Sequence, residues 1–344
     1  ALGDVAGSQL EGLAGMTTLS IDTGDLDVIR DYAATGLISD ATTNPLFVSQ
    51  AGLSGDPRYV AFVDEAVSYA KAKGGGLDEE GRVNLAIDRL AVNLGREIAG
   101  LVPGYVSTEV DIRESFDIEA SVARARRIIA MYEELGVPRE RVLIKLAATW
   151  EGIKAAEILE KEGITCNLTL VFGFAQAVAC AQAGVRLISP FPGRILDWHK
   201  NNGGAQSYEP SEDPGVVEVR RIYSYYKKFG HERTICMPAS WRPSRGPGFE
   251  TDELVALAGV DRMTIPPPLL EKLATSREPL PRLLSPDTAA AECTDTEVCG
   301  GAISEKDFRM LLTADVCTAT KLAEGINAFV AETEKLRVAL LSKF

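Results

Sequence analysis

Short β-branched runs alternate with longer amphipathic stretches along most of this chain. Eight runs read as strands: Thr18–Asp22, Ile38–Thr42, Tyr105–Val110, Val142–Ala147, Thr165–Leu170, Val185–Pro190, Thr234–Ser240 and Asp261–Ile265. Each is short, apolar on balance and bounded by Gly, Pro, Asp or charged residues. Between them, Val83, Ile87, Leu90, Leu94 and Ile98 recur at helical spacing, as do Ile118, Val122, Ala125, Ile129 and Tyr132. On the second helix Arg124, Arg126, Glu133 and Glu134 are expected on the opposite, solvent side. Strand–helix repetition implies parallel strands joined by right-handed crossovers. Eight units predict an α/β fold, a (β/α)8 TIM barrel. Residues 304–342 add closing helices at the C-terminus, with Leu322, Ile326, Phe329, Leu336 and Leu340 on one stripe. Residues 1–17 read as an N-terminal extension. The loops are expected at Lys73–Glu80, Lys200–Gly215, Arg242–Glu250 and Ser276–Gly301, and one domain spans 1–344.

Composition narrows the classes of function. The 344 residues carry 36 Lys and Arg against 49 Asp and Glu, a net charge of −13, which would repel nucleic acid. No apolar run approaches the ~20 residues of a membrane span. A nucleotide-binding open sheet would need a Gly-rich first turn, and neither G-x-G-x-x-G nor G-x-x-x-x-G-K-[ST] occurs. Six cysteines are too sparse for a disulfide scaffold and form no C-x-x-C pair, and two histidines, His199 and His231, lack metal-ligand spacing. No metal and no cofactor are therefore expected. Cys293 and Cys299 lie close in a polar stretch, where either free thiols or a reversible, regulatory disulfide could stand. No secretory h-region is present, and the start at Ala1 without Met is open to two readings, a processing scar or an artificial boundary.

In a barrel, catalysis takes place at the carboxyl ends of the strands. Polar residues gather at those positions here: Asp22, Thr42, Thr43 and Asn44, Glu109, Lys145, Asn167 and Thr169, Ser189, then Ser240 and Arg242. Lys145 interrupts Val142-Leu143-Ile144-Lys145-Leu146-Ala147, where an aliphatic residue would be ordinary. A buried ammonium either pairs with a carboxylate or loses its proton. Lys145 is thus open to two readings, a structural ion pair with Glu109 or Asp22, or a nucleophile forming a Schiff base with a carbonyl. Asp22 in Asp22-Thr23-Gly24-Asp25 could equally be a helix cap, and Glu109 a mere counter-charge. Arg194 and Arg242 suit phosphate at a barrel rim or a solvated surface. Asn167-Leu168-Thr169 matches a glycosylation sequon but lies within a core strand, so we set it aside.

These motifs resemble the transaldolase family of the class I, Schiff-base aldolases. The resemblance is carried by Asp22-Thr23-Gly24-Asp25, Asp40-Ala41-Thr42-Thr43-Asn44-Pro45, Ser107-Thr108-Glu109-Val110-Asp111, Leu143-Ile144-Lys145-Leu146-Ala147 and Cys166-Asn167-Leu168-Thr169-Leu170. Leu187 to Phe191, Gly193 to Trp198 and Asp213 to Val217 extend it, and it runs from about Ser20 to the Lys321–Ile326 segment. It implies that Lys145 forms the imine and that Glu109 shuttles protons through a water held by Thr169. Asp22 would deprotonate the C4 hydroxyl. Thr42, Asn44, Asn167 and Ser189 would hold the dihydroxyacetone fragment, and Arg194, Ser240 and Arg242 the phosphate. The implied substrates are fructose 6-phosphate, sedoheptulose 7-phosphate, erythrose 4-phosphate and glyceraldehyde 3-phosphate, in the pentose phosphate pathway. Phe191 stands where fructose-6-phosphate aldolases tend to carry a tyrosine, which favours transfer over release of free dihydroxyacetone. The alternatives are such an aldolase, or a sugar-phosphate-binding barrel without catalysis. Met237-Pro238-Ala239-Ser240-Trp241-Arg242 departs from the family pattern at Pro238 and Trp241, where Gly and Phe are expected. The chain is expected as a monomer or homodimer, in the cytoplasm or, if its end is a transit-peptide boundary, the chloroplast stroma.

Overall fold

The computed structural model describes residues 3–344. Its strands are β1 (Thr18–Asp22), β2 (Ile38–Thr42), β3 (Val106–Glu109), β4 (Val142–Ala147), β5 (Cys166–Val171), β6 (Leu187–Pro190), β7 (Ile235–Cys236) and β8 (Arg262–Ile265). They form one eight-stranded sheet in the order β7-β6-β5-β4-β3-β2-β1-β8, every pairing parallel. The barrel almost closes. Between β7 and β8 the Thr264 N–H donates to Pro238 O at 3.2 Å, and the Cys236 N–H donates to the Asp261 carboxylate at 2.9 Å.

β7 is shorter than the run Thr234–Ser240 predicted, and Pro238 supplies the reason: it has no N–H for a ladder. The chain nevertheless continues alongside β6, with Met237 N donating to Ile188 O and Ala239 N to Pro190 O, both at 2.9 Å. β4 is buried at every position, as a strand covered on both faces should be. The stripe Val83, Ile87, Leu90, Leu94 and Ile98 is buried on the helix Glu79–Ala99.

One helical expectation is overturned. Arg124, on the helix Ile118–Glu134, does not face solvent; its side chain is 6% exposed. It bonds Asp88 at 3.1 Å, Asp111 at 3.2 Å and Glu114 at 3.0 Å, so ion pairing draws it inward against the apolar periodicity. The expected loop Ser276–Gly301 also contains structure: a helix Pro286–Glu292, capped by Ser285 and opened by a proline. Cys293 is buried, Cys299 exposed, and both are free thiols. Within the N-terminal extension the helix Gln9–Ala14, capped by Ser8, buries Leu10 and Leu13.

Two small apolar clusters bracket the barrel interior. Leu143, Leu187, Ile235 and Met237 form its floor. At the mouth, Leu170, Phe172, Phe191 and Ile195 pack with Leu322, Ile326 and Phe329 of the closing helix Val316–Leu341. Between floor and lid lies a polar chamber.

Candidate active site

Register alone brings the central groups together. Glu109 of β3 stands opposite Lys145 of β4, and Lys145 opposite Asn167 of β5. All three are cross-strand neighbours on one face. Lys145 Nζ lies 3.7 Å from Glu109 Oε2 and donates to the Thr43 carbonyl at 3.2 Å. Its side chain is 7% exposed and that of Glu109 4%. Neither Glu109 oxygen has a hydrogen-bond partner among the described residues, and the same holds for Thr169 Oγ1. Unmet polar groups at this depth are costly. Burial pushes Glu109 up to about 7, against the pull of Lys145.

Asp22 closes the other side. Asp25 caps the following helix, accepting from Asp27 and Val28 N–H, which frees Asp22 from the capping role open to it in the sequence. Burial raises Asp22 above the usual carboxylate range, opposed by Lys145, by the Thr42 hydrogen bond and by Arg194. Thr42 donates to Asp22 Oδ1 at 2.8 Å.

The polar wall is pre-oriented. Ser189 Oγ donates to Asn167 Oδ1 at 2.8 Å, and Asn167 Nδ2 donates to Ser107 Oγ at 3.2 Å. Asn44 spends its carbonyl on the Phe47 N–H at the start of the helix Pro45–Leu53. Its amide N–H groups remain available to a ligand.

Toward the rim, Arg194 Nε donates to Ser240 Oγ at 3.2 Å, with the guanidinium 4.8 Å from the Phe191 ring centre. Arg242 pairs with Asp197 at 3.3 Å. Burial, and then the neighbouring Arg242, lower the Arg194 pKa. Two adjacent cations with donors to spare make an anion-receptive corner. Ser240 is held at φ 59°, unusual for a non-glycine. Opposite it a Cβ on Gly193 would stand 2.3 Å from Ser240 O, so only glycine allows the contact.

Asp22, Thr42, Asn44, Lys145, Ser189, Phe191, Arg194, Ser240 and Arg242 line one cavity of about 230 Å³. Glu109 and Asn167 adjoin it through the contacts above, and Thr169 lies two residues beyond Asn167 on β5, opposite Ala147. Trp241, Thr264 and Phe329 also line it, none of them read as a site residue from the sequence. Thr264 could have been found by the strand-end rule applied to the eighth strand. The Thr43 carbonyl could not, since a backbone acceptor leaves no mark in a sequence.

Fold and cavity together define an enzyme class: a (β/α)8 barrel with an amine and two carboxylates sunk at the strand ends. Residues 19–340 match the family Transaldolase/Fructose-6-phosphate aldolase, and the chain belongs to it. It is 48% identical to the transaldolase of Alteromonas mediterranea over 337 residues, covering 98% of each chain. It is 48% identical to that of Actinobacillus succinogenes over 98% of this chain and 99% of the relative. With transaldolase 1 of Pectobacterium atrosepticum the identity is 47%, over 98% and 99%. Like its relatives it is a transferase of aldehyde or ketone residues. These relatives are bacterial and give no support to the chloroplast alternative. No helix among the described residues is long and apolar enough to cross a membrane.

Proposed function

We propose that this single-domain enzyme, acting in the cytoplasm, moves a dihydroxyacetone unit from fructose 6-phosphate or sedoheptulose 7-phosphate to erythrose 4-phosphate or glyceraldehyde 3-phosphate, with Lys145 as the covalent carrier. The observation that carries the reading is Lys145 itself, buried at the barrel centre beside a carboxylate of raised pKa. The amine attacks the ketose C2, and the carbinolamine loses water to give a protonated imine. A group poised near pH 7 can both give and take the protons this needs, and Glu109 fits that demand. Its unpartnered oxygens, with Thr169 Oγ1, suit a shared water.

Asp22 then takes the C4 hydroxyl proton. The C3–C4 bond breaks, its electron pair passes into the protonated imine, and the aldose phosphate leaves. The three-carbon enamine stays on Lys145 until a second aldehyde accepts it, and hydrolysis of the new imine frees the product. Asn44, Asn167 and Ser189 offer donors and acceptors to the fragment's hydroxyls. Arg194, Ser240 and Arg242 offer the corner for the phosphate that every substrate carries.

The second reading, an aldolase releasing dihydroxyacetone, falls within the same family description. Relatives that are transaldolases at 47–48% identity, and the apolar Phe191 in the cavity wall, favour transfer. Incubation with fructose 6-phosphate tests this. Transfer predicts sustained glyceraldehyde 3-phosphate formation only with erythrose 4-phosphate present, alongside sedoheptulose 7-phosphate. Sustained release of dihydroxyacetone without acceptor would favour the aldolase.

A further inference from the structure

Thr264, at the edge where the barrel closes, has no part in the chemistry above. Its side chain is buried, and its Oγ1 lies 2.7 Å from Thr42 Oγ1. A hydroxyl has one proton to give. Thr42 gives its own to Asp22 Oδ1, so the proton between the two threonines belongs to Thr264. The chain runs one way, Thr264 to Thr42 to Asp22. Thr264 Oγ1 has no other partner among the described residues, so reversal would leave a buried hydroxyl chain without an acceptor at its end.

Thr264 is itself pinned at main-chain level. Its N–H bonds Pro238 O, and its carbonyl accepts from the Trp241 indole at 2.9 Å. Trp241 is buried. Within Met237–Arg242, Pro238 and Trp241 stand where the family resemblance leads one to expect Gly and Phe.

We infer that Thr264 is a positioning residue, the fixed first donor of a hydroxyl chain that orients Asp22 and favours its ionised form. This rests on the reading of Asp22 as the base. Asp22 Oδ1 is engaged, and Oδ2 has no partner among the described residues, so it is the oxygen left to meet a substrate hydroxyl. The charged groups facing Asp22 are Lys145 from β4 and Arg194 from the helix Pro192–Asn201, with Glu109 beyond Lys145. Both cations favour the carboxylate and burial opposes it. A donor chain ending on Oδ1 adds to the cations' side.

The test is Thr264→Val, which keeps shape and removes the donor, with Thr264→Ser as rescue. For Thr264→Val we expect kcat for transfer to fall about tenfold near neutral pH, as for one lost charge-linked hydrogen bond. KM for fructose 6-phosphate stays within about twofold, since the donor does not touch substrate. The acid limb of the kcat–pH profile moves to higher pH by about half a unit, so the deficit widens as pH falls. Thr264→Ser restores the wild-type profile. Borohydride trapping at Lys145 persists in both, which a general collapse of the barrel would not allow. A wild-type profile in Thr264→Val, or a deficit equal at every pH, overturns the inference. Asp22→Asn separates the two claims. Full activity in that variant sinks the reading of Asp22, whereas its inactivity beside an unchanged Thr264→Val sinks this inference alone.

Discussion

Glu109 and Asp111 stand two residues apart at the end of β3, both buried, yet their surroundings act in opposite directions. Asp111 enters a closed ion cluster. Burial would raise its pKa, but the Arg113 hydrogen bond and the charge of Arg124 overcome that and hold it below the usual carboxylate range. Arg124 in turn bonds Asp88 and Glu114. Glu109 instead faces Lys145 at 3.7 Å with both oxygens unmet among the described residues, and burial wins. The difference separates two uses of buried charge. Where the charges bond to one another they hold structure; where the oxygens are left unmatched they suit the reactivity proposed for them.

Exchanging each cation for methionine gives the largest contrast. Lys145→Met should lower transfer by about four orders of magnitude or more, as loss of a covalent nucleophile does, while urea unfolding shows stability equal to wild type or higher. Arg124→Met should cost about 3–5 kcal/mol in the same measurement, because Asp88 and Asp111 lose a buried partner. A destabilised Lys145→Met would erase the distinction. Asp22→Asn comes next, with turnover down by about 10²–10⁴-fold and the imine still trapped by borohydride. Loss of trapping as well would give Asp22 an earlier role. Gly193→Ala should raise KM for phosphorylated ketoses about tenfold, because the added methyl pushes Ser240 and Arg242 out of the anion corner. The corresponding unphosphorylated sugars should react as slowly as with wild type; if they too lose rate, the damage is not to phosphate binding.

The smallest effects carry opposite signs. Folding raises the pKa of Glu109, so ionising it opposes the native state. Stability relative to Glu109→Gln should be greatest below pH 4.5 and decline as pH rises through about 7. Folding lowers that of Asp111, so stability relative to Asp111→Asn should hold above pH 3.8 and be lost as pH falls through its depressed value. Parallel slopes would mean the two carboxylates share one environment.

The barrel was legible because apolar runs and helical stripes obey local periodicity, and Val142–Ala147 and Ile38–Thr42 needed nothing else. Lys145 was legible as a charge breaking such a run. Arg124 was not, since its partners Asp88 and Asp111 are distant in sequence and periodicity records only the apolar side of a helix. Ile235–Cys236 falls short of the expected run because Pro238, inside it, has no N–H to give a ladder, a break that the apolar pattern does not record. Thr42 lines the cavity, but that its proton goes to Asp22 was not legible, since this bond joins different strands and no single run displays it.

The central claim is that Lys145 is the amine that carries the sugar fragment. The direct measurement is peptide mass analysis of the protein reduced with borohydride in the presence of fructose 6-phosphate and no acceptor. The account predicts one reduced three-carbon adduct, on Lys145 and absent from Lys145→Met. An unmodified Lys145 in protein that turns over, or the adduct on another lysine, would contradict it.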